Sequence, residues 1–307
     1  MTDRVPDDAG AEQRCGYIGL IGRPNVGKST LLNRLLGMKL SIVSNRPQTT
    51  RHRLLGVQTR GDTQFVYVDT PGLHGEQKKA LNRTLNRTAV AVLGDVDVIV
   101  LLVEPGRWTD DDDRVLKHVR EAGRPVIAVI NKVDLIPHKE QLLPFIEELS
   151  GRYEFADIVP LSATKGQNLE PLEEAIRGFL PVSAFFFPED QVTDRSERFL
   201  VAERIREQLM RTLGQEVPYS TSVAVEAFEA GSSLTRIAAV IWVEREGQKA
   251  IVIGKGGEQL KRIGQQARRQ IEPLLGQRVH LELWVKVRAG WADDERAVKS
   301  LGYDEGG

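Results

Sequence analysis

The sequence contains little cysteine, few aromatic residues, almost no net charge and no long apolar run. Its single thiol, Cys15, cannot form an internal disulfide, and Phe, Trp and Tyr make up 6% of the residues. The 42 basic and 43 acidic residues leave a net charge of −1, which excludes a uniformly basic nucleic-acid coat protein. The longest apolar run, Val98 to Val103, has the length of a strand rather than of a membrane-spanning helix. Because the N-terminus also lacks the basic and apolar regions of a secretory signal, we expect a protein of the reducing cytoplasm.

The chain is long enough for about two domains, and its composition changes along its length. Residues 1–14 are acidic and without apolar periodicity, which predicts a disordered tail. In residues 15–184 short apolar strands alternate with amphipathic helices, which predicts an α/β domain with a mostly parallel sheet and helices on both faces. Residues 185–206 combine prolines, charges and a Phe triplet, and predict a linker and the start of a helix. Residues 207–290 predict a smaller α+β domain with an antiparallel component, and residues 291–307 predict an acidic tail.

A glycine-rich segment follows the first predicted strand and opens the next helix. It fits the pattern G-x-x-x-x-G-K-[ST] and comprises Gly22, Arg23, Pro24, Asn25, Val26, Gly27, Lys28 and Ser29. Glycines at these positions let backbone N–H groups close around phosphates, and the N-terminus of the helix adds its positive dipole end. Lys28 then supplies a charge to the β- and γ-phosphates, and Ser29 offers a hydroxyl to Mg²⁺. The segment therefore predicts a nucleotide site of the P-loop type.

A second segment lies at the end of the predicted strand FVYVDT. It consists of Asp69, Thr70, Pro71 and Gly72. Its carboxylate stands at the edge of the sheet where α/β proteins bind ligands, about 40 residues after the phosphate loop. There it can hold Mg²⁺ through water.

A third segment separates guanine from adenine. It follows the strand PVIAVI and consists of Asn131, Lys132, Val133 and Asp134. The Asp134 carboxylate can accept two hydrogen bonds from guanine, whereas adenine has no donors at those positions and would leave the carboxylate unpaired. Asn131 would brace the loops, and the Lys132 stem would lie against the ring face. Backbone N–H groups of Ser162 and Ala163, after a further strand, are available to the guanine carbonyl.

Taken in order, these segments carry a resemblance to a known family. Residues 16 to 180 resemble a translation-factor-type small GTPase domain, and the segment from Gln48 to His52 resembles the switch I of the Era family. The resemblance implies that a switch I threonine coordinates Mg²⁺ together with Ser29 and Asp69. Thr50 is assigned this role, with Thr49 as the alternative. It further implies that Lys28, Thr50 and Gly72 act in GTP hydrolysis, with the Gly72 backbone sensing the γ-phosphate.

Other positions of the site leave alternatives open. The residue after Gly72 is Leu73, where Ras-like enzymes carry the glutamine that orients the attacking water. Its neighbour His74 is either a water-orienting group or a bystander. Asn25 either helps to hold a potassium ion against the phosphates, as in related GTPases, or only supports the turn of the loop. No intrinsic arginine finger is identifiable, since Arg46 and Arg51 are equally consistent with solvated charges, and we expect slow intrinsic hydrolysis.

The second domain carries a glycine-rich loop inside a basic stretch. Two strands are predicted before the loop, at about 220–229 and 235–246, and an apolar strand or turn leads directly into it. After the loop comes a helix that opens at Gly256 or Gly257. Between residues 249 and 269, six basic residues stand against one acidic residue. A tight loop at a helix N-terminus lets phosphates approach the backbone, and the basic helix attracts RNA electrostatically. The predicted RNA-binding residues are Gly254, Lys255, Gly256, Gly257, Lys261, Arg262, Arg268 and Arg269.

The element order α-β-β-α-α-β with this loop resembles a type II KH domain, and a GTPase domain followed by such a domain is the Era architecture. The resemblance implies a bacterial ribosome-assembly GTPase that binds GTP, GDP and the 3′ end of 16S rRNA and acts on the 30S subunit. It also implies Mg²⁺ as a cofactor, a monomer, and peripheral association with the inner membrane, although no amphipathic anchor is visible. Two alternatives remain: a nucleotide-gated RNA-binding module in which hydrolysis is incidental, and a P-loop kinase, against which the guanine-recognition segment counts.

Overall fold

The computed structural model describes residues 12–44, 46, 49–73, 80–214 and 217–300. Most of the predicted N-terminal tail and His74 lie outside these ranges. The tail prediction for residues 1–14 is wrong at its end, since Arg14 belongs to the first strand and its guanidinium donates to Leu180 O at 2.7 Å. None of the described helices is long and apolar enough to cross a membrane.

The first domain is built on a six-stranded sheet with the order β2-β3-β1-β4-β5-β6. Neighbouring strands are parallel except for the antiparallel pair β2 and β3, which confirms the predicted mostly parallel sheet. The strands are β1 (Arg14–Ile21), β2 (Leu54–Arg60), β3 (Thr63–Asp69), β4 (Val98–Val103), β5 (Val126–Ile130) and β6 (Asp157–Pro160).

Helices cover both faces of this sheet. They are α1 (Lys28–Leu35), α2 (Ala80–Asp95), α3 (Asp110–Ala122), α4 (Leu142–Arg152) and α5 (Leu169–Arg177). Alternate residues of β4 enter two separate cores, one with α2, α3 and α4 and the other with α1 and α5. Because both faces are covered, the central strands carry Val and Ile without polar alternation.

The segment between the domains packs along the first domain. The Gln64 side chain of β3 accepts hydrogen bonds from the Phe186 and Phe187 amides at 2.9 and 3.0 Å, and it donates to Phe187 O at 2.8 Å. Farther on, the Val57 amide of β2 donates to Val192 O at 2.8 Å. The linker backbone is therefore held to the sheet by the Gln64 side chain and by a backbone hydrogen bond of β2.

The second domain places helices on one face of a three-stranded sheet with the order β7-β8-β9. Strands β7 and β8 are antiparallel, and β8 and β9 are parallel. The elements are α6 (Glu197–Thr212), β7 (Ser222–Ala230), β8 (Leu234–Val243), α7 (Glu246–Ile253), α8 (Glu258–Leu275) and β9 (Arg278–Val287).

Two expectations for this domain are wrong. The second strand ends at Val243 rather than at residue 246, and the apolar segment before the glycine loop is the end of α7 rather than a strand or turn. The Gln248 side chain explains the difference, because its Oε1 accepts the amides of Glu244 and Arg245 at 2.8 and 3.2 Å and so caps a helix. The short helix therefore precedes the loop.

The prediction of an acidic tail over residues 291–307 is also wrong for its described part. Residues 295–300 form a helix, α9 (Glu295–Ser300), and Trp291 is fully buried. Trp291 and Val298 pack with Leu81 and Leu85 of α2, and the Leu81 amide donates to Ala292 O at 3.1 Å. A few apolar side chains inside an acidic segment thus connect the end of the second domain to a helix of the first. Residues 301–307 lie outside the described ranges.

Candidate nucleotide-binding site and nucleic-acid interface

The phosphate loop runs from the end of β1 into α1. Gly27 has φ 105°, and a Cβ atom there would lie 2.2 Å from the Asn131 Nδ2 atom. Only glycine therefore permits the loop to approach the guanine-recognition segment this closely. Asn25 has φ 65°, in the left-handed region that asparagine tolerates, which accords with its turn-supporting role. The potassium role of Asn25 stays a prediction.

Lys28 lies inside this loop. Its side chain is buried, and its Nζ donates to Gly22 O at 2.9 Å and to Arg23 O at 3.2 Å. Burial lowers the pKa of Lys28 to about 8. The ammonium group thus lies at the loop where the phosphates of a nucleotide would enter. Because it is buried, its positive charge is unfavourable until a negative group such as a phosphate compensates it.

The three predicted metal ligands converge on one point. Ser29 Oγ lies 2.9 Å from Thr50 Oγ1, and both hydroxyls approach Asp69 Oδ2, at 3.1 and 3.4 Å. Ser41, which the sequence analysis did not identify, also donates to Asp69 Oδ2 at 2.8 Å. The Thr49 hydroxyl instead donates to Arg46 O at 2.6 Å, so the structure places Thr50 rather than Thr49 beside Ser29.

This cluster has the chemistry of a Mg²⁺ site. Asp69 is fully buried, and burial raises the pKa of its carboxyl group. Its Oδ1 atom has no hydrogen-bond partner among the described residues. Hydroxyl and carboxylate oxygens are the hard ligands that Mg²⁺ prefers, and a cation would compensate the buried charge.

Gly72 and Leu73 follow Asp69 at the same edge of the sheet. A Cβ atom at Gly72 would lie 3.1 Å from the backbone of Pro24, so this segment and the phosphate loop touch. The Thr70 hydroxyl fixes the segment by donating to Leu20 O at 2.9 Å. Leu73 is buried in the core beneath α2 and offers no polar group to a water molecule. A cavity of about 470 Å³ opens here, lined by eight predicted residues: Pro24, Asn25, Gly27, Lys28, Ser29, Thr50, Gly72 and Lys132.

The guanine-recognition segment is braced from several sides. Asn131 is buried, and it donates to Val26 O at 2.7 Å and accepts the Ala163 amide at 3.0 Å. It therefore joins the phosphate loop to the segment after β6, as predicted. The Asp134 carboxylate accepts the Ser162 hydroxyl at 2.5 Å, which fixes its orientation. The neighbouring Val133 amide donates to Leu161 O at 3.3 Å.

Sequence reasoning missed Glu104, which ties the loops together. Its carboxylate forms ion pairs with Arg23 of the phosphate loop and with Lys132 of the guanine segment. The Lys132 ammonium also donates to Asn25 O at 2.7 Å. Glu104 directly follows β4, so the rule that identified Asp69 at the end of β3 would have found it.

Switch I contacts the second domain as well as the nucleotide cavity, which Thr49 and Thr50 line. Arg51 is buried, and its guanidinium donates to Thr221 O at 2.7 Å and to Tyr219 O at 3.1 Å. Arg46 donates to the carbonyls of Leu213 and Gly214 at 2.6 and 2.9 Å. Arg51 is therefore buried rather than a solvated charge, and Arg46 joins the two domains while it also lines the nucleotide cavity.

The glycine loop of the second domain leads into α8 in an unusual backbone conformation. Gly254, Gly256 and Gly257 have φ values of 73°, 60° and 82°, which favour glycine. A groove of about 450 Å³ runs from this loop between α8 and β9. Its lining includes Gly257, Leu260, Lys261, Arg268, Leu281 and Leu283.

The remaining predicted basic residues, Lys255, Arg262 and Arg269, do not line this groove. Arg262 and Arg269 line a separate cleft between α8 and α6. Trp284 of β9 is 45% exposed and belongs to none of the described cores. The sequence could not decide whether its ring packs against a helix or stacks on an RNA base.

Comparison with known proteins matches both domains. The family described as 50S ribosome-binding GTPase matches residues 17–132, and the KH domain family matches residues 216–292. GTPase Era of Pseudomonas aeruginosa is 54% identical over 305 residues, covering 99% of this chain and 100% of the relative. GTPase Era of Marinobacter nauticus is 52% identical with the same coverage.

Solved structures agree. A variant of Era from Aquifex aeolicus bound to GDP and AlF4⁻ superposes with a TM-score of 0.92 at 39% identity, covering 95% of this chain and 99% of that one. Era in complex with MgGDPNP and nucleotides 1506–1542 of 16S ribosomal RNA superposes with the same score, identity and coverage. With full-length relatives above half identity and both domains matched, the chain belongs to the Era family of GTPases.

Proposed function

We propose that this GTPase binds the 3′ end of 16S rRNA in the groove between α8 and β9 and acts in assembly of the 30S subunit. The observation that carries the proposal is the groove itself. It combines a glycine loop, the cations Lys261 and Arg268, and an apolar surface formed by Leu260, Leu281 and Leu283. Single-stranded RNA needs these three features, because its phosphates seek backbone N–H groups and cations while its unstacked bases seek apolar surface. A relative of the same fold binds a fragment of 16S rRNA, which supports the assignment.

The nucleotide site performs hydrolysis of GTP by water. Lys28 neutralises the β- and γ-phosphates, and the Gly72 backbone faces the γ-phosphate position next to Pro24. Because the Leu73 side chain is buried, the attacking water is oriented by other groups. Asp134 and Asn131 select and position guanine.

Mg²⁺ is the metal that the site would hold. Ser29, Thr50 and Asp69 are its protein ligands, directly or through water, and when bound it supplies charge neutralisation at the phosphates. Potassium beside Asn25 would add a second positive charge. Comparing hydrolysis in potassium and sodium salts tests this role, because a site for potassium predicts a faster rate in potassium.

RNA binding is tested with a double substitution in the glycine loop. Gly254→Asp with Gly257→Asp introduces two carboxylates and forces side chains at positive φ, so binding of an oligonucleotide copying the rRNA 3′ end should be lost while GTP binding is kept. Gly123→Asp is the matched control for Gly257→Asp, since both glycines have positive φ, 62° and 82°, and open space around them, and Gly123 lies at the end of α3. At Gly254 a Cβ atom would lie 2.5 Å from the Gln259 Cβ, so retained GTP binding is the check on the fold of the double variant. Full RNA binding by the double variant would refute the assignment.

A second candidate is a nucleotide-gated RNA-binding module in which hydrolysis is incidental, and buried Leu73 favours it. Stimulation of hydrolysis by RNA separates the two functions, because only a coupled switch predicts it.

We further propose that the protein is a monomer, and that it lies in the cytoplasm and associates peripherally with the inner membrane. Sedimentation of the purified protein, and its fractionation between cytosol and membrane, test these points.

A further inference from the structure

Ser41 is a buried residue whose hydroxyl touches the nucleotide site from outside the cavity. It is 4% exposed and lies between α1 and β2, in the segment that precedes switch I. Its Oγ donates to Asp69 Oδ2 at 2.8 Å, the shortest of the three hydroxyl contacts that described residues make with that oxygen. The other two hydroxyls belong to Ser29 and Thr50, which line the cavity, whereas Ser41 is not among the described residues that line it. Ser41 therefore contacts Asp69 without facing the position of a nucleotide.

The backbone of Ser41 is held by one side chain of α1. Asn33 Oδ1 accepts the amides of Leu40 and Ser41 at 2.8 and 2.7 Å, and Asn33 Nδ2 donates to Ser41 O at 2.8 Å. Both backbone polar groups of Ser41 are thus bonded to the helix that carries Ser29. Arg204 of α6 adds a donor to the neighbouring Leu40 carbonyl at 3.5 Å. The Ser41 hydroxyl is therefore presented to Asp69 from a fixed backbone.

The three hydroxyls around Asp69 Oδ2 differ in what else they do. A carboxylate oxygen has two lone pairs, so three donors cannot all bond to it at full strength. Ser29 and Thr50 are the predicted metal ligands, and their hydroxyl oxygens are shared with the cation when it is bound. The Ser41 hydroxyl has no such second partner among the described residues, and its contact with Asp69 is the shortest of the three. Orienting the carboxylate is the task that its position allows.

We propose that Ser41 is a positioning residue of the metal site, whose hydroxyl holds the Asp69 carboxylate in the orientation in which it ligates Mg²⁺, directly or through water. Outer partners of this kind orient a ligand, and removing one lowers metal affinity about 10- to 100-fold. The partner itself has to be rigid, and Ser41 meets this condition because Asn33 fixes its backbone. The inference rests on the proposed Mg²⁺ site and adds a residue that acts on the metal only through Asp69.

The test measures metal affinity rather than hydrolysis. Mn²⁺ replaces Mg²⁺ because its electron paramagnetic resonance signal reports the concentration of the free ion, and GDPNP fills the nucleotide site. The full chain is kept in excess over GDPNP, so that Mn²⁺ binds in the protein complex rather than to free nucleotide. Titration then gives the dissociation constant of Mn²⁺. The affinity for GDPNP without metal reports whether the nucleotide site is folded.

Two substitutions of Ser41 are compared with a matched control. Ser41→Ala removes the hydroxyl, and Ser41→Thr keeps it. The control is Thr88→Val, because Thr88 is 5% exposed and its hydroxyl donates to Thr84 O at 3.1 Å within α2. It therefore removes a buried hydroxyl whose hydrogen bond does not involve Asp69. Adding Ser41→Ala to Asp69→Asn shows whether Ser41 acts through Asp69.

We expect Ser41→Ala to weaken Mn²⁺ binding about tenfold, whereas Ser41→Thr and Thr88→Val should bind Mn²⁺ within about twofold of the wild type. The affinity for GDPNP without metal should be the same in all three variants. In the Asp69→Asn background, Ser41→Ala should cause no further loss of Mn²⁺ affinity, because the effects of two residues that act as one unit do not add.

Three outcomes would overturn the role of Ser41: wild-type Mn²⁺ affinity in Ser41→Ala, equal losses in Ser41→Ala and Ser41→Thr, or a further loss in the Asp69→Asn background. A fall in metal-free GDPNP affinity that matches the fall in Mn²⁺ affinity would also overturn it, because it would show a general distortion of the site. Failure of the wild-type complex to bind Mn²⁺ would instead overturn the proposed metal site itself.

Discussion

Replacing Arg51 by methionine should weaken the union of the two domains. Arg51 is 2% exposed and donates two hydrogen bonds to carbonyls of the second domain. Methionine fills similar space but removes both donors and the charge. Each of the two carbonyls left without a donor costs about 1 to 3 kcal/mol, so the free energy of unfolding should fall by about 2 to 6 kcal/mol.

Urea unfolding followed by circular dichroism measures this loss. Arg114→Met is the control, because Arg114 is 58% exposed and its ion pair with Asp111 spans one turn of α3. An exposed pair contributes about 0.5 kcal/mol or less, so the control should unfold like the wild type. If Arg51→Met also unfolds within about 0.5 kcal/mol of the wild type, the buried contacts do not join the domains as described.

Three further predictions concern the nucleotide site and the C-terminal segment. Asp134→Asn should lower GTP affinity about 100-fold and shift preference to xanthosine triphosphate, since an amide complements the xanthine carbonyl; competition binding checks this, and an unchanged preference would contradict the base assignment. Burial lowers the pKa of Lys28 to about 8, and nucleotide phosphates favour its charged form, so GTP binding at pH 8 should take up about half a proton. Calorimetry in two buffers detects this uptake, and zero uptake would contradict the placement of Lys28 at the phosphates. Trp291→Ala should speed hydrogen exchange at the Leu81 amide, whereas the control Trp284→Ala, at an exposed position, should not; equal exchange in both would show that the segment does not hold α2.

Much of the first domain could be predicted because its signals are local. The strand from Val98 to Val103 is a continuous apolar run, as a strand covered on both faces requires. The phosphate loop and the segments at Asp69 and Asn131 follow strands directly, so the topology of a parallel sheet brings them to one edge. Identifying them needed only the spacing of residues along the chain.

The features that could not be predicted depend on distant partners. Trp291 sits in an acidic segment, and nothing local indicates that Leu81 and Leu85 offer it a place to pack. Arg51 resembles a solvated charge until its acceptors, carbonyls far along the chain, are known. These contacts arise from the docking of one domain on the other, which residue spacing does not encode.

The division of α8 is an intermediate case. Its periodicity assigns Lys261 and Arg268 to one side of the helix and Arg262 and Arg269 to the neighbouring side. Only the positions of α6 and β9 show that the first side faces an apolar groove and the second a polar cleft. The helix could be predicted, but the packing on each side of it could not.

The central claim is that one chain couples GTP hydrolysis to RNA binding through a switch I that contacts the second domain. Steady-state GTP hydrolysis by the full chain, with and without the rRNA 3′-end oligonucleotide, tests it most directly. The account predicts that the RNA raises the rate in the wild type and leaves it unchanged in the Gly254→Asp, Gly257→Asp variant. A rate that stays constant while the wild type holds the RNA tightly would contradict the coupling.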